Sequence, residues 1–77
     1  TQISFDVPNG SDLVRLNIYN ILGKKINTLV NEIINPGRHT LEWNAKDNDG
    51  NPVASGIYFY ELSSSNFTAR KKMLLIR

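Results

Sequence analysis

The stretch Gly56–Ser63 reads GIYFYELS and is the most strand-prone segment of the 77-residue chain. Aromatic and β-branched side chains favour strands, and Ile57–Tyr60 consists of them entirely. The polar cluster Ser63–Asn66 is typical of a turn, and we expect it to lead into a last strand over Phe67–Ile76. The C-terminal third of the chain is therefore predicted to form two neighbouring antiparallel strands.

Alternation of apolar and polar residues continues upstream of this pair. Successive side chains of a strand point to opposite faces, so a period of two predicts strands with one buried face. The predicted inward residues are Ile3, Phe5 and Val7, then Val14, Leu16 and Ile18, then Ile26 and Val30, and finally Leu41 and Trp43 of a strand His39–Asn44. Residues 31–35 are predicted to form a loop or a further short strand.

Turn signals separate these segments. They are Pro8–Ser11, Leu22–Lys24, Asn35–Gly37 and the polar loop Asp47–Pro52, each with glycine, proline or asparagine where a turn requires it. Residues 20–34 carry apolar residues at helical spacing, but Gly23 and the β-branched content disfavour a helix there. About seven short strands with frequent turns predict an all-β fold, a small antiparallel β-sandwich.

Composition limits what the chain can be. At 77 residues it is one domain, 1–77, and because it opens within a strand without an initiator methionine we expect it to be excised from a longer protein. The absence of cysteine excludes disulfides and zinc–thiolate sites, and no apolar run approaches the ~18 residues of a membrane span.

Candidate sites for chemistry are weak. Asp47, Asp49 and Gly50 resemble part of a calcium loop, but the usual first ligand position falls on Ala45, and a plain hairpin turn is favoured. His39 is the single histidine and has no supporting motif, so we predict no catalysis and no metal site.

Aromatic residues leave a binding function open. Trp43, Tyr58 and Tyr60 would make a platform for sugar rings if they were exposed in one plane. Aromatic side chains at strand spacing more often belong to the core or to cross-strand pairs, which is the favoured interpretation.

The positive charge of the chain is concentrated in its tail. Residues 1–69 hold five basic and seven acidic side chains. Residues 70–77 hold four basic side chains and no acidic one; the basic residues are Arg70, Lys71, Lys72 and Arg77. No aromatic residue accompanies them, which argues against nucleic acid. Around Met73–Ile76, this pattern indicates either an edge strand protected by charge or an address read by another protein.

The ordered succession of short motifs resembles a known family across essentially the whole chain. These motifs are Ile3-Ser4-Phe5 with Val7-Pro8, Leu16 with Ile18-Tyr19-Asn20-Ile21-Leu22-Gly23-Lys24, Pro36-Gly37, Leu41 with Trp43-Asn44, Asp49-Gly50, Ser55-Gly56-Ile57-Tyr58 and Lys71–Arg77. Together they resemble the C-terminal sorting domain (type A) of the bacterial type IX secretion system. They are also similar to the immunoglobulin-like domain of flagellar hook-capping proteins.

This resemblance implies a seven-stranded immunoglobulin-like sandwich that acts as a non-catalytic secretion signal without a cofactor. The implied partners are the outer-membrane translocation machinery, a sortase-like peptidase and a fused upstream cargo, in a protein exported through the periplasm of a Gram-negative bacterium to its surface or medium. The implied recognition residues are Gly56, Tyr58, Lys71, Lys72, Met73, Leu74, Leu75, Ile76 and Arg77.

Two rival functions remain open at this point. One is a structural module, such as a hook-cap domain that assembles with copies of itself. The other is a carbohydrate-binding or structural accessory module of a secreted enzyme. An exposed terminal edge strand would also permit weak self-association.

Overall fold

Six β-strands build the part of the chain that the computed structural model describes, residues 1–9 and 13–76. They are β1 (Gln2–Val7), β2 (Leu13–Asn20), β3 (Lys25–Ile33), β4 (Gly37–Glu42), β5 (Gly56–Ser64) and β6 (Phe67–Leu75). All neighbouring strands pair antiparallel, and the described residues contain no helix. The prediction of an all-β antiparallel fold is confirmed.

The strands form two sheets of unequal size. One sheet has four strands in the order β3-β2-β5-β6, and the other pairs only β1 with β4. The described strands number six rather than about seven, because residues 31–33 continue β3 instead of forming a separate strand. β2 is long enough to pair with this extension, and Leu13 lies opposite Ile33.

The core lies between the two sheets and centres on β2. Val14, Leu16 and Ile18 have no exposed surface, because β3 and β5 flank them within the sheet and the smaller sheet covers them. The other buried hydrophobic residues are Ile3, Phe5, Val7, Trp43, Tyr58, Leu62 and Leu75. The alternation seen in the sequence therefore predicted the inward faces of β1 and β2 correctly.

Strand β4 ends earlier than predicted. It stops at Glu42, and Trp43 enters the following loop while remaining 1% exposed. The indole N–H of Trp43 donates to the backbone oxygen of Lys46 at 3.0 Å, which satisfies its polar atom inside the core. At the other end of the chain, β6 stops at Leu75 rather than Ile76.

Two of the predicted turns, Leu22–Lys24 and Asp47–Pro52, are formed as expected. Gly23 has a φ of 85° in the β2–β3 hairpin, where the side chain of Asn20 accepts hydrogen bonds from the N–H groups of Leu22 and Lys24. Gly50 closes the second turn by donating its N–H to the oxygen of Asp47 at 3.1 Å. At Asn35–Gly37 the chain bends as it passes from one sheet to the other, and Gly37 begins β4 with a φ of 120°. The turn predicted at Pro8–Ser11 lies partly outside the described residues.

Gly56 and Tyr58 join the long loop to β5. Gly56 has a φ of 149°, in a region that strongly favours glycine. Tyr58 is 7% exposed, packs edge-on against Trp43 with ring centroids 5.5 Å apart, and donates its hydroxyl hydrogen to the oxygen of Ala54 at 2.7 Å. Gly56 is thus the first residue of β5, and Tyr58 packs the start of this strand against Trp43.

The burial of β2 predicts a position-dependent cost for losing a single methyl group. Ile18→Val should lower the free energy of unfolding by about 0.5–1.5 kcal/mol, because the site is fully enclosed and cannot collapse completely. Ile33→Val makes the same chemical change at a side chain that is 77% exposed, and should stay within about 0.5 kcal/mol of the parent. Urea unfolding followed by tryptophan fluorescence measures both; equal losses would contradict the described core.

The hydroxyl of Tyr58 gives a second prediction. Tyr58→Phe removes the hydrogen bond to Ala54 and should lower the free energy of unfolding by about 0.5–1.5 kcal/mol. Tyr60→Phe is the matched control, because the Tyr60 hydroxyl makes no hydrogen bond among the described residues. A Tyr60 variant as unstable as the Tyr58 variant in thermal unfolding would show that the Ala54 contact contributes nothing.

Candidate functional site

The C-terminal strand β6 forms one edge of the four-stranded sheet. It pairs with β5 along its whole length, from Phe67 opposite Ser64 to Leu75 opposite Gly56. Within residues 1–9 and 13–76, no strand pairs with its other side. Its outer backbone groups are therefore available to another strand.

The predicted recognition residues of β6 divide between the two faces of the sheet. Leu75 is 2% exposed and belongs to the core, and Met73 packs against the core from the same face. Leu74 is 63% exposed and lies on the outer face opposite Ile57, while Ile76 beyond the strand is 78% exposed. Met73 and Leu75 thus anchor the strand, and Leu74 and Ile76 remain free to contact a partner.

The two lysines of the strand also point in opposite directions. Lys71 lies opposite the inward-facing Tyr60, whereas Lys72 lies opposite Phe59 on the outer face. Neither lysine makes an ion pair or a hydrogen bond with any described residue. Arg77, the last predicted recognition residue, lies outside the described part of the chain.

Arg70 is the basic tail residue that is already engaged. Its guanidinium lies 3.0 Å from the carboxylate of Glu61, the residue directly opposite it on β5. The same group stands 5.1 Å from the ring centroid of Tyr19 and 6.0 Å from that of Phe59. Cross-strand charge pairing and cation–π contacts therefore give Arg70 a structural role that the sequence analysis did not foresee.

Gly56 and Tyr58 differ from the tail residues in accessibility. The ring of Tyr58 is buried against Trp43, and Gly56 contributes backbone geometry only. Neither presents a side chain to solvent as Lys72 and Leu74 do. Any part they have in recognition would act through the position of β5 and of the strand paired with it.

The proposed sugar platform is not formed. Trp43 and Tyr58 are 1% and 7% exposed, and Tyr60 is only partly exposed because it packs against the core. The alternation along β5 directs both tyrosines inward, where they cover the hydrophobic interior. These aromatic residues therefore belong to the core, as the favoured interpretation predicted, and the alternative of a planar exposed surface is wrong for them.

The acidic loop is built as a turn. A side-chain oxygen of Asp47 accepts hydrogen bonds from the N–H groups of Asp49 and Asn51, at 3.0 and 2.9 Å. His39 stacks on Phe5 with ring centroids 5.7 Å apart, and its Nε2 lies 2.7 Å from the oxygen of Asn35. In the described part of the chain, no group of three or more histidine, cysteine or acidic side chains could hold a metal ion.

The same part of the chain has no helix with the length and hydrophobicity required to cross a bilayer.

Comparison with known proteins gives a matching family and similar solved structures, FlgD among them. The family model described as the FlgD Ig-like domain matches residues 1–67. The crystal structure of FlgD from P. aeruginosa superposes with a TM-score of 0.74 at 27% identity, and the match covers 96% of this chain. It covers 59% of the FlgD chain, so the domain spans somewhat more than half of that protein. No curated protein matches significantly.

These comparisons confirm the immunoglobulin-like fold and the resemblance to FlgD, while the resemblance to type IX sorting domains stays a prediction. The family model matches well over half of the chain, from Thr1 to Phe67. The chain therefore belongs to the family of FlgD Ig-like domains.

Proposed function

We propose that this domain is a non-catalytic sorting signal, recognised by the type IX outer-membrane export machinery. It directs a cargo protein fused upstream to the cell surface or the medium of a Gram-negative bacterium. The observation that supports this proposal most strongly is the outer surface of the C-terminal tail. There Leu74 and Ile76 are exposed and Lys72 has no ion-pair partner among the described residues. Cleavage by a sortase-like peptidase after export belongs to the same proposal.

The tail combines a secure anchor with a free surface. Leu75 and Met73 fix β6 to the core, so recognition does not require the strand to unfold. Lys72, Leu74 and Ile76 project from the same segment without contributing to the core. Because anchor and surface alternate along one strand, a receptor could bind the tail while the domain stays folded.

Two kinds of contact are available to a receptor. The unpaired edge of β6 can accept a strand through backbone hydrogen bonds, and side chains at alternate positions then provide specificity. Burying Leu74 and Ile76 would contribute up to about 1.5–3 kcal/mol each, reduced by the fraction already covered. The free ammonium group of Lys72 would favour an acidic receptor surface and accelerate the encounter.

The family sequence model ends at Phe67, before the basic and apolar residues of β6. The match to the FlgD structure covers 96% of the chain, so the fold of most of β6 is shared with FlgD. What lies beyond the family model is the sequence of the tail. The tail is where we place the function that distinguishes this chain.

A second candidate is a structural role in a flagellar hook cap. Membership of the FlgD Ig-like family and the similar FlgD structure favour it. In that case the domain would act by packing against other subunits, and the outer face of β6 would carry no export information. A carbohydrate-binding role has no comparable support, because Trp43 and Tyr58 are buried.

The export proposal predicts the effect of changing two exposed tail residues. Residues 1–77 would be fused behind a signal peptide and a fluorescent reporter, in a bacterium with a working type IX system. Lys72→Glu with Leu74→Asp should reduce the exported reporter about tenfold or more, because the receptor loses an apolar contact and meets a reversed charge. Surface and medium fluorescence measure the export.

The hairpin tip supplies a matched control. Lys24→Glu with Leu22→Asp makes the same chemical changes at exposed positions of the β2–β3 turn. This variant should be exported like the parent, and thermal unfolding should show both variants to be folded. Undiminished export of the Lys72/Leu74 variant would contradict the proposal and favour the structural role.

A further inference from the structure

A crevice of about 510 Å³ opens beside β1, between the small sheet and the inner face of the large sheet. Its walls include Ser4 and Asp6 on β1, Tyr60 and Leu62 on β5, and Ala69 and Lys71 on β6. The crevice exists because the two-stranded sheet is too narrow to cover the whole inner face of the four-stranded sheet. β1 and β4 cover the buried residues of β2, while the middle of the inner face of β6 is left open.

The backbone of β1 borders this crevice with an unpaired edge. Thr1 and Trp43 exchange two hydrogen bonds, Trp43 N–H to Thr1 oxygen at 2.7 Å and Thr1 nitrogen to Trp43 oxygen at 3.1 Å. In an antiparallel pair such double bonds recur at every second residue. The register of the pair is unbroken, so Ile3, Phe5 and Val7 bond to β4. The N–H and C=O groups of Gln2, Ser4 and Asp6 therefore face away from β4, and these three residues line the crevice.

The floor of the crevice is apolar and, in the described part of the chain, holds one cation without an ion-pair partner, Lys71. Tyr60, Leu62 and Ala69 supply apolar surface. Arg38 also reaches the crevice, but its guanidinium is paired with Asp6 at 3.2 and 3.3 Å. Lys71 has no such partner among the described residues. The uncompensated charge of the crevice is positive.

We propose that this crevice receives an extended peptide strand from a partner protein. The strand pairs with the free edge of β1 as a third strand of the small sheet. Alternate side chains of the strand pack on Tyr60, Leu62 and Ala69, and one carboxylate meets Lys71. Edge pairing of this kind obtains affinity from main-chain hydrogen bonds and specificity from the pockets for alternate side chains.

The proposal goes beyond the sorting function and does not depend on it. Export recognition was assigned to the outer face of β6, through Lys72 and Leu74. The crevice uses β1 and the inward-facing Lys71. Binding of a peptide by the isolated chain can fail or succeed whatever the export assay shows.

The first test uses a synthetic probe of defined sequence. The peptide TVTVTET, acetylated and amidated, places two valines and a glutamate on one face of a strand. Titration into 15N-labelled protein should slow hydrogen exchange at the amides of Gln2, Ser4 and Asp6. The peptide TVTVTKT, which reverses the charge at one position, should bind about tenfold more weakly.

Neighbouring lysines provide the side-chain control. Lys71→Glu should weaken binding of TVTVTET about tenfold, because it reverses the one charge of the crevice that has no ion-pair partner within residues 1–9 and 13–76. Lys72→Glu makes the same change one residue away on the opposite face and should alter the dissociation constant less than about twofold. Equal effects of the two variants would overturn the assignment of the carboxylate to Lys71.

Proline substitutions provide the backbone control. Ser4→Pro removes an N–H group that faces the crevice, and proline is tolerated at such an edge position. Thr40→Pro removes the corresponding N–H on the far edge of β4. Both variants lose the same hydroxyl contact, Ser4 Oγ to Thr40 Oγ1 at 3.1 Å. Ser4→Pro should abolish peptide binding, while Thr40→Pro should retain it, with thermal unfolding confirming that both are folded.

Three results would overturn the proposal. The first is unchanged exchange at Gln2, Ser4 and Asp6 with saturating TVTVTET. The second is equal binding by the two proline variants. The third is protection of the same amides in the absence of peptide, if that protection increases with protein concentration and sedimentation shows a dimer. This result would mean that a second copy of the chain pairs with the edge of β1.

Discussion

The complete burial of one face of β2 is the constraint on which the rest of the fold depends. Val14, Leu16 and Ile18 lose all contact with water, and only a second layer packed against the large sheet can achieve that. The β1–β4 pair and Trp43 form this layer. Their inward residues come from both ends of the first 43 positions, so the core joins parts of the chain that are distant in sequence.

The unequal sizes of the two sheets follow from the same constraint and determine which surfaces remain free. A two-stranded sheet suffices to cover β2, but it leaves unpaired backbone at β1 and an uncovered stretch along β6. The two faces of β6 then have different properties. Lys72 and Leu74 face solvent on the outside, whereas Lys71 borders the crevice on the inside.

Much of this architecture could be predicted from local patterns. Alternation identified the inward residues of β1 and β2, and Gly23 located the β2–β3 turn, because both signals depend on neighbouring residues only. Alternation also predicted that Trp43 points inward, whereas the core interpretation of Tyr58 rested only on its being the more common one, since aromatic side chains at strand spacing suit both a core and a binding surface. The ion pair of Arg70 could not be predicted, because it depends on the register that places Glu61 opposite Arg70. That register depends on the length of the β5–β6 turn, which the sequence does not determine.

The crevice was beyond prediction for a related reason. It requires knowing that β1 pairs with β4, whose partner residues are 30 to 40 positions away in sequence, and that this pair lies over only part of the large sheet. Unlike the basic residues of β6, which indicated an edge strand, the residues of β1 carry no signature of a free edge. The same limit applies to Lys71 and Lys72. Alternation predicts that they lie on opposite faces of β6, but not that one face borders a crevice and the other faces solvent.

Residue-resolved hydrogen exchange on the isolated chain tests the central claim most directly, namely that a small two-stranded sheet covers β2 and leaves its own edge free. The account predicts an alternating pattern in β1, with slow amides at Ile3 and Phe5 and fast amides at Ser4 and Asp6. The amides of Leu16 and Ile18 in β2 should be the slowest. Uniformly slow exchange along β1 in the monomer would contradict the account, because it would mean that the edge is already covered.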